Sequence, residues 1–100
     1  MADTGGPMIA TAADDVIARI IIVGALGAVT RIAREHGVSL ETLVSRDRHR
    51  HAALARHHAW AVIRWTLALS YPEIGRMFGV DHCTVIQGIR KFERHLSEAA

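Results

Sequence analysis

The stretch FGVDHCTVIQGIRKFE, Phe78 to Glu93, puts an acid, an imidazole, a thiol and a hydroxyl in consecutive positions: Asp81, His82, Cys83 and Thr84. Three chemistries use such residues. A histidine held against a cysteine makes a nucleophilic thiolate. Asp, His and Cys ligate transition metals. Small polar side chains at the start of a helix enter a DNA groove. The spacing argues against the first, because adjacent helical side chains diverge by about 100°. A structural metal site wants four converging ligands, commonly with paired cysteines. This chain has one cysteine, and His49, His51, His57 and His58 stand among arginines that would repel a cation. The expectation is no enzyme, no cofactor and no metal, with the four residues forming the tip of a reading helix.

Such a tip needs elements to hold it, and the flanking residues supply them. Ser70-Tyr71-Pro72-Glu73 is a capping box: the Ser70 hydroxyl meets the Glu73 amide and the Glu73 carboxylate reaches back. Proline in the first turn loses no needed donor. Ile74 and Phe78 share a face, and Gly79 stops the helix after about two turns. Val80 is the turn. Asp81 caps the next helix, its carboxylate accepting from the Cys83 or Thr84 amide. That helix should run from His82 to about Leu96. Val85, Ile89, Phe92 and Leu96 form its buried stripe, with Cys83, Gln87, Arg90, Lys91 and Arg94 off it. A short capped helix, a glycine turn and an amphipathic helix make a helix-turn-helix, whose second helix enters the major groove.

The upstream residues also read as helices, so the fold expected is an all-α small bundle. Residues 1–12 are a flexible arm, and residues 13–97 are the domain. A first helix begins at Asp14-Asp15 and ends at Gly37, with Gly24 and Gly27 allowing a break. Its apolar positions wrap round near Ile20 to Val23, which implies cover from a partner chain or from the arm folding back. Ser39 caps a short helix from Leu40 to about Ser45, and the basic loop SRDRHRH follows. A long helix spans Ala52 to Leu69, with Ala55, Ala59, Val62, Ile63, Thr66 and Leu69 on one face. His57, Ala61 and Arg64 lie opposite. Trp65 is expected to pack in the core. Trp60, at the edge of the second face, is free to touch a partner.

One hundred residues hold one modest core. A single cysteine permits no internal disulfide. The run Val16 to Val29 contains Arg19 and is shorter than the roughly 20 apolar residues of a membrane span. Acids precede it where a signal peptide would carry positive charge, so a cytoplasmic protein is expected. Charge is uneven. Residues 1–45 carry three arginines against five acids, whereas residues 46–64 carry Arg46, Arg48, Arg50, Arg56 and Arg64 against Asp47 alone. This concentration is either a polyanion contact or a solvated face.

The run SYPEIGRMFGVDHCTVIQGIRKFE resembles the C-terminal DNA-binding domain of the bacterial replication initiator DnaA, whose pattern is S-x-P-E-I-G-x-x-F-G-G-R-D-H-T-T-V. The likeness extends upstream through AREHGVSLETLVSRDRHR and covers about residues 28–96. The resemblance implies that Asp81, His82 and Thr84 contact the major groove, with Cys83 at a family threonine position. It implies that Arg48 enters the minor groove, and that Arg56, His57 and Arg64 contact DNA mainly at the backbone. Arg46, Arg50, Gln87 and Lys91 complete the expected DNA-binding set.

The chain departs from the family in three places. Only Val80 separates Gly79 from Asp81 where the family has two residues. Leu54-Ala55 replaces a family proline in the long helix. No glycine-rich phosphate loop of the ATPase kind occurs in the residues given. The expectation is therefore a DNA reader without the motor, a sequence-specific transcription regulator and activator, by analogy of phage-derived clusters or gene transfer agents. Its partners would be double-stranded DNA and, through residues 14–29, itself, a transcription-machinery protein or a DNA-bending protein. The alternatives are a replication modulator occupying initiator sites and a DNA-independent helical interaction module.

Overall fold

The computed structural model describes residues 12–99. Among them are six helices and no strand: α1 (Ala12–Ile22), α2 (Leu26–Glu35), α3 (Leu40–Val44), α4 (Arg50–Leu67), α5 (Tyr71–Phe78) and α6 (His82–Ala99). The all-α bundle is as expected. The N-terminal arm lies outside the described residues, except for Ala12 at the start of α1.

The anticipated first helix is two helices. Gly24 adopts a left-handed backbone, φ 78°, which a residue with a side chain rarely takes. Its amide bonds the Ile21 carbonyl at 3.0 Å, and the Ala25 amide bonds Ile20 at 3.0 Å. The chain then enters α2 at Leu26. This accounts for part of the apolar wrap. Val16 and Ile20 of α1, Ala25, and Val29, Ile32 and Ala33 of α2 all enter the protein's own core. Ile21 and Ile22 stay outside, at 53% and 82% exposure.

Around these two helices the packing is continuous. α1 lies against α3 and α5, and α2 against α3 and α4. Ser39 caps α3 as expected, its hydroxyl accepting from the Thr42 amide at 3.1 Å. α4 begins two residues earlier than read, at Arg50, and ends at Leu67, where Ala68 turns left-handed at φ 56°.

Helix α4 is central, touching α2, α3, α5 and α6, and its inward surface is wider than one stripe. Ala52, Ala55, Ala59, Trp60, Ala61 and Ile63 are buried. The tryptophans are therefore exchanged relative to expectation. Trp60 is 1% exposed and Trp65 is 52% exposed. Ala61, assigned to the outer face, is buried, while Thr66, assigned inward, is exposed and bonds the Val62 carbonyl at 2.7 Å. Covering neighbours on several sides, rather than one, decides this.

α4 and α6 pack closely. At Gly88 an added Cβ would fall 2.6 Å from Trp60 Cζ3 and 2.7 Å from His57 Cδ2. Val85, Ile89 and Phe92 extend the seam as expected, but Leu96 is 46% exposed. Gly88→Ala should destabilise the fold by about 1–3 kcal/mol through overpacking, although alanine is the better helix former by about 1 kcal/mol. Urea denaturation followed by circular dichroism measures this, and a stabilised variant would contradict the packing.

Candidate nucleic-acid interface

Local chemistry builds the helix-turn-helix. The capping box forms: the Glu73 amide donates to the Ser70 hydroxyl at 3.2 Å, and the Ser70 amide to Glu73 Oε1 at 2.8 Å. These bonds hold the Glu73 carboxyl below the usual range. Gly79 ends α5 in the left-handed region at φ 71°. The Val80 amide then bonds back to the Gly75 carbonyl at 2.9 Å. A Cβ at Gly75 would stand 2.7 Å from the Val80 carbonyl and 3.3 Å from the His82 amide. Bare backbone on α5 thus lets the one-residue turn fold onto it and aims the start of α6.

At that start the Asp81 carbonyl accepts from the Thr84 and Val85 amides at 3.0 and 3.2 Å. The expected carboxylate cap is not made. Asp81 Oδ1 instead faces His82 Nδ1 at 3.3 Å. Cys83 Sγ lies 3.7 Å from His82 Nε2. The side chains are therefore closer than their angular separation implied, because the ring reaches across the gap. Asp81, His82 and Cys83 hold ligand atoms within 4.8 Å of one another, but all are exposed. Their shortest contacts use opposite ring nitrogens. Thr84, Gln87 and Lys91 are on the same helix, Thr84 and Lys91 exposed and Gln87 too at its outer face.

Between α3 and α4 the basic loop has a defined shape. Asp47 Oδ1 accepts from the His49 amide at 2.8 Å and from its Nδ1 at 2.6 Å, which lowers the Asp47 pKa. The Asp47 amide donates to Ser45 Oγ at 3.1 Å. Arg56 braces the loop from inside: Nε donates to the Leu43 carbonyl at 2.9 Å, and Nη2 to the Asp47 carbonyl at 2.9 Å. Burial lowers the Arg56 pKa, but a guanidinium stays charged. Arg46 crosses to the helix-turn-helix, where Nη2 donates to the Gly79 carbonyl at 3.1 Å.

The sequence-derived site residues therefore divide. Arg48, Arg50, Asp81, His82, Cys83, Thr84, Gln87 and Lys91 are exposed. Arg46 is exposed but tied to the turn. Arg56, His57 and Arg64 are half-buried. Arg64 closes the α4–α5 connection, donating to the Leu69 carbonyl at 2.9 Å with its guanidinium 4.5 Å from the Tyr71 ring centroid. His57 packs beside Trp60, ring centroids 5.5 Å apart. Missed from the sequence were Gly75, Gly88 and Trp60, which position the site without touching solvent. Only glycine inside an otherwise strong helical pattern signalled two of them.

A helical bundle with a capped helix-turn-helix and an adjoining arginine loop defines a helix-turn-helix DNA-binding domain. Residues 29–92 match the family described as the bacterial dnaA protein helix-turn-helix, and the chain belongs to that family. It is 40% identical over 72 residues to chromosomal replication initiator protein DnaA 1 of Chlamydia trachomatis, covering 72% of this chain and 16% of that protein. It is 39% identical over 70 residues to chromosomal replication initiator protein DnaA of Oleidesulfovibrio alaskensis, covering 70% and 15%. The corresponding protein of Rhizobium johnstonii is 40% identical over 67 residues, covering 66% and 14%. The chain thus spans only a small part of the length of these relatives. No solved structure gives a significant match. The family expected from the sequence is borne out, and it supports sequence-specific binding of double-stranded DNA. Among the described residues, no helix is long and apolar enough to cross a membrane.

Three histidines make stability depend on pH. Burial first, then Lys91 and Arg56, push the His57 pKa from 6.5 down to about 4. His57 therefore stays neutral near pH 7 and adds no charge toward a phosphate. Burial likewise lowers the pKa of His36 and His58, whose rings bond Nε2 to Nδ1 at 3.1 Å. Each pKa is lower folded than unfolded. The stabilisation is complete above the unfolded value of 6.5 and is lost as pH falls through the folded values, near 4 for His57. Thermal unfolding should show a constant midpoint above pH 7 and a midpoint falling by several degrees toward pH 4.5. His57→Gln should make that fall smaller, and an unchanged pH profile would rule out the assignment.

Proposed function

We propose that this protein reads a specific double-stranded DNA site in two grooves and regulates transcription, as an activator. The observation that supports the two-groove reading is the bond from Arg46 of the basic loop to Gly79 of the helix-turn-helix turn. It puts two candidate DNA elements, distant in sequence, on one connected surface. His82 and Thr84, with Asp81 and Cys83 beside them, meet base edges in the major groove, and Gln87 lies one turn behind. Arg48 enters the minor groove, where positive side chains sense groove width. Arg50 and Lys91 neutralise phosphates. Arg56 and Arg64 act chiefly by holding the loop and the α4–α5 turn. A regulator of this kind acts by recruiting a polymerase-associated or DNA-bending protein, or a second copy. Within residues 14–29, Ile21 and Ile22 are the apolar side chains most available for that contact.

A second reading has its own support, since the relatives named above are chromosomal replication initiators. On that reading the protein occupies initiator sites and modulates replication. Chromatin immunoprecipitation with sequencing separates the two: peaks at promoters favour the regulator, and peaks confined to an origin favour the replication role. Absence of any peaks would contradict both.

The interface itself is tested by anisotropy titrations on a selected duplex at several salt concentrations. Arg48→Ala should weaken binding by roughly ten-fold or more and reduce the slope of log K against log salt, by up to about 0.9 for each phosphate left without its counter-charge. His82→Ala should cost about 1–3 kcal/mol on the selected site and little on unrelated duplex. Equal losses on both sequences would show that His82 does not read bases.

A further inference from the structure

The loop 46–49 and the start of α6 come from different parts of the chain, with the long helix α4 between them in sequence. If one DNA site is read by both, their separation must be held, because DNA sets the distance between neighbouring grooves. Two guanidiniums hold the loop. Arg56 fixes its inner edge through the Leu43 and Asp47 carbonyls. Arg46 fixes it laterally, through the Gly79 carbonyl at 3.1 Å.

The chemistry of the acceptor suits this role. Gly79 is the left-handed residue closing α5, and carbonyls at a helix C-terminus lack intrahelical donors and carry partial negative charge. A second arginine treats the same helix end alike: Arg19 Nη1 of α1 donates to the Met77 carbonyl at 3.1 Å. No carboxylate pairs with Arg46 among the described residues, so its bond orients the loop rather than neutralising a charge. By contrast, Arg50 is exposed and makes no side-chain hydrogen bond among the described residues. These arginines look equivalent in sequence and are not equivalent in position.

We infer that Arg46 is a positioning residue that latches the basic loop to the turn of the helix-turn-helix and thereby sets the spacing between the minor-groove and major-groove contacts. The inference rests on the two-groove reading above. It assigns part of the sequence preference to a residue that need not touch a base. An arginine that merely contacts a phosphate would instead contribute equally on every sequence.

Arg46→Ala and Arg50→Ala remove the same charge and can be compared directly. The site is first obtained by selecting wild-type protein on a library of random duplexes. Each variant is then titrated on that site and on versions with one base pair inserted between the two groups of selected positions. For wild type and Arg50→Ala, the insertion should cost at least roughly ten-fold, as a misplaced base contact does. For Arg46→Ala, the penalty should shrink to about two-fold, because the loop and tip now adjust independently. An Arg46→Ala variant that keeps the full penalty while losing affinity equally on all duplexes would overturn the latch in favour of a phosphate contact.

Hydrogen exchange without DNA gives an independent reading. Arg46→Ala should accelerate exchange of the Asp47 and His49 amides, which are bonded inside the loop, with α4 unchanged. Unchanged exchange at those two amides would also overturn the latch. Wild-type protein that selects no sequence at all would instead sink the DNA-reading proposal, which leaves the exchange result to judge the loop geometry by itself.

Discussion

Where α6 can lie is decided by the space over Trp60. The indole is buried on α4, and the facing residue of α6 is Gly88, where one extra carbon would approach the ring to 2.6 Å. Large on one side and absent on the other is how two helices close without voids. The contact falls at Cζ3 and Cε3 of the indole, with His57 beside it at 5.5 Å and Phe78 edge-on at 5.8 Å. Phe78 ends α5, so one aromatic ring joins the long helix to both halves of the helix-turn-helix. The close approach also leaves Trp60 Nε1 buried without an acceptor among the described residues, a cost of about 1–3 kcal/mol that burial of so large a ring offsets. Because α6 is set at its middle, its first turn is presented at a defined height above α4.

A second constraint acts at the tip. The turn before α6 has a single residue, Val80, between Gly79 and Asp81. That brevity is accommodated by Gly75, whose missing side chain admits the Val80 carbonyl and the His82 amide. The tip that results is also chemically different from its sequence reading. Asp81 turns to His82 instead of the backbone, and Cys83 turns to the same ring from the other side. The shortened turn and the cysteine are departures from the DnaA pattern that fall at residues proposed to meet bases.

The cluster of arginines divides by what each guanidinium can reach. Arg56 and Arg64 are half-buried and satisfy carbonyls of loops that would otherwise lack donors. Arg46 does so across a gap between elements. Arg48 and Arg50 reach no internal acceptor among the described residues and remain for the solvent or for DNA. Fewer of these guanidiniums are therefore free to reach DNA than the composition implies.

Much of this was legible in the residues alone. Capping boxes, glycine stops and apolar periodicity are local. Ser39, Ser70, Glu73 and Gly79 each act on backbone within a few residues, so the helix-turn-helix and its neighbours follow from short-range chemistry. The D-H-x-T-V signature was equally legible, because a family likeness resides in the order of residues. Tertiary structure decided what depends on distant neighbours. Which tryptophan is buried depends on α4 being covered by α2, α3, α5 and α6 at once, and periodicity on one helix cannot count those neighbours. The split of the first helix at Gly24 rather than Gly27 depends on both arms finding the same core. Whether an arginine faces DNA or a carbonyl depends on what lies several Å from a long, flexible side chain, and for Arg46 that acceptor stands 33 residues away along the chain.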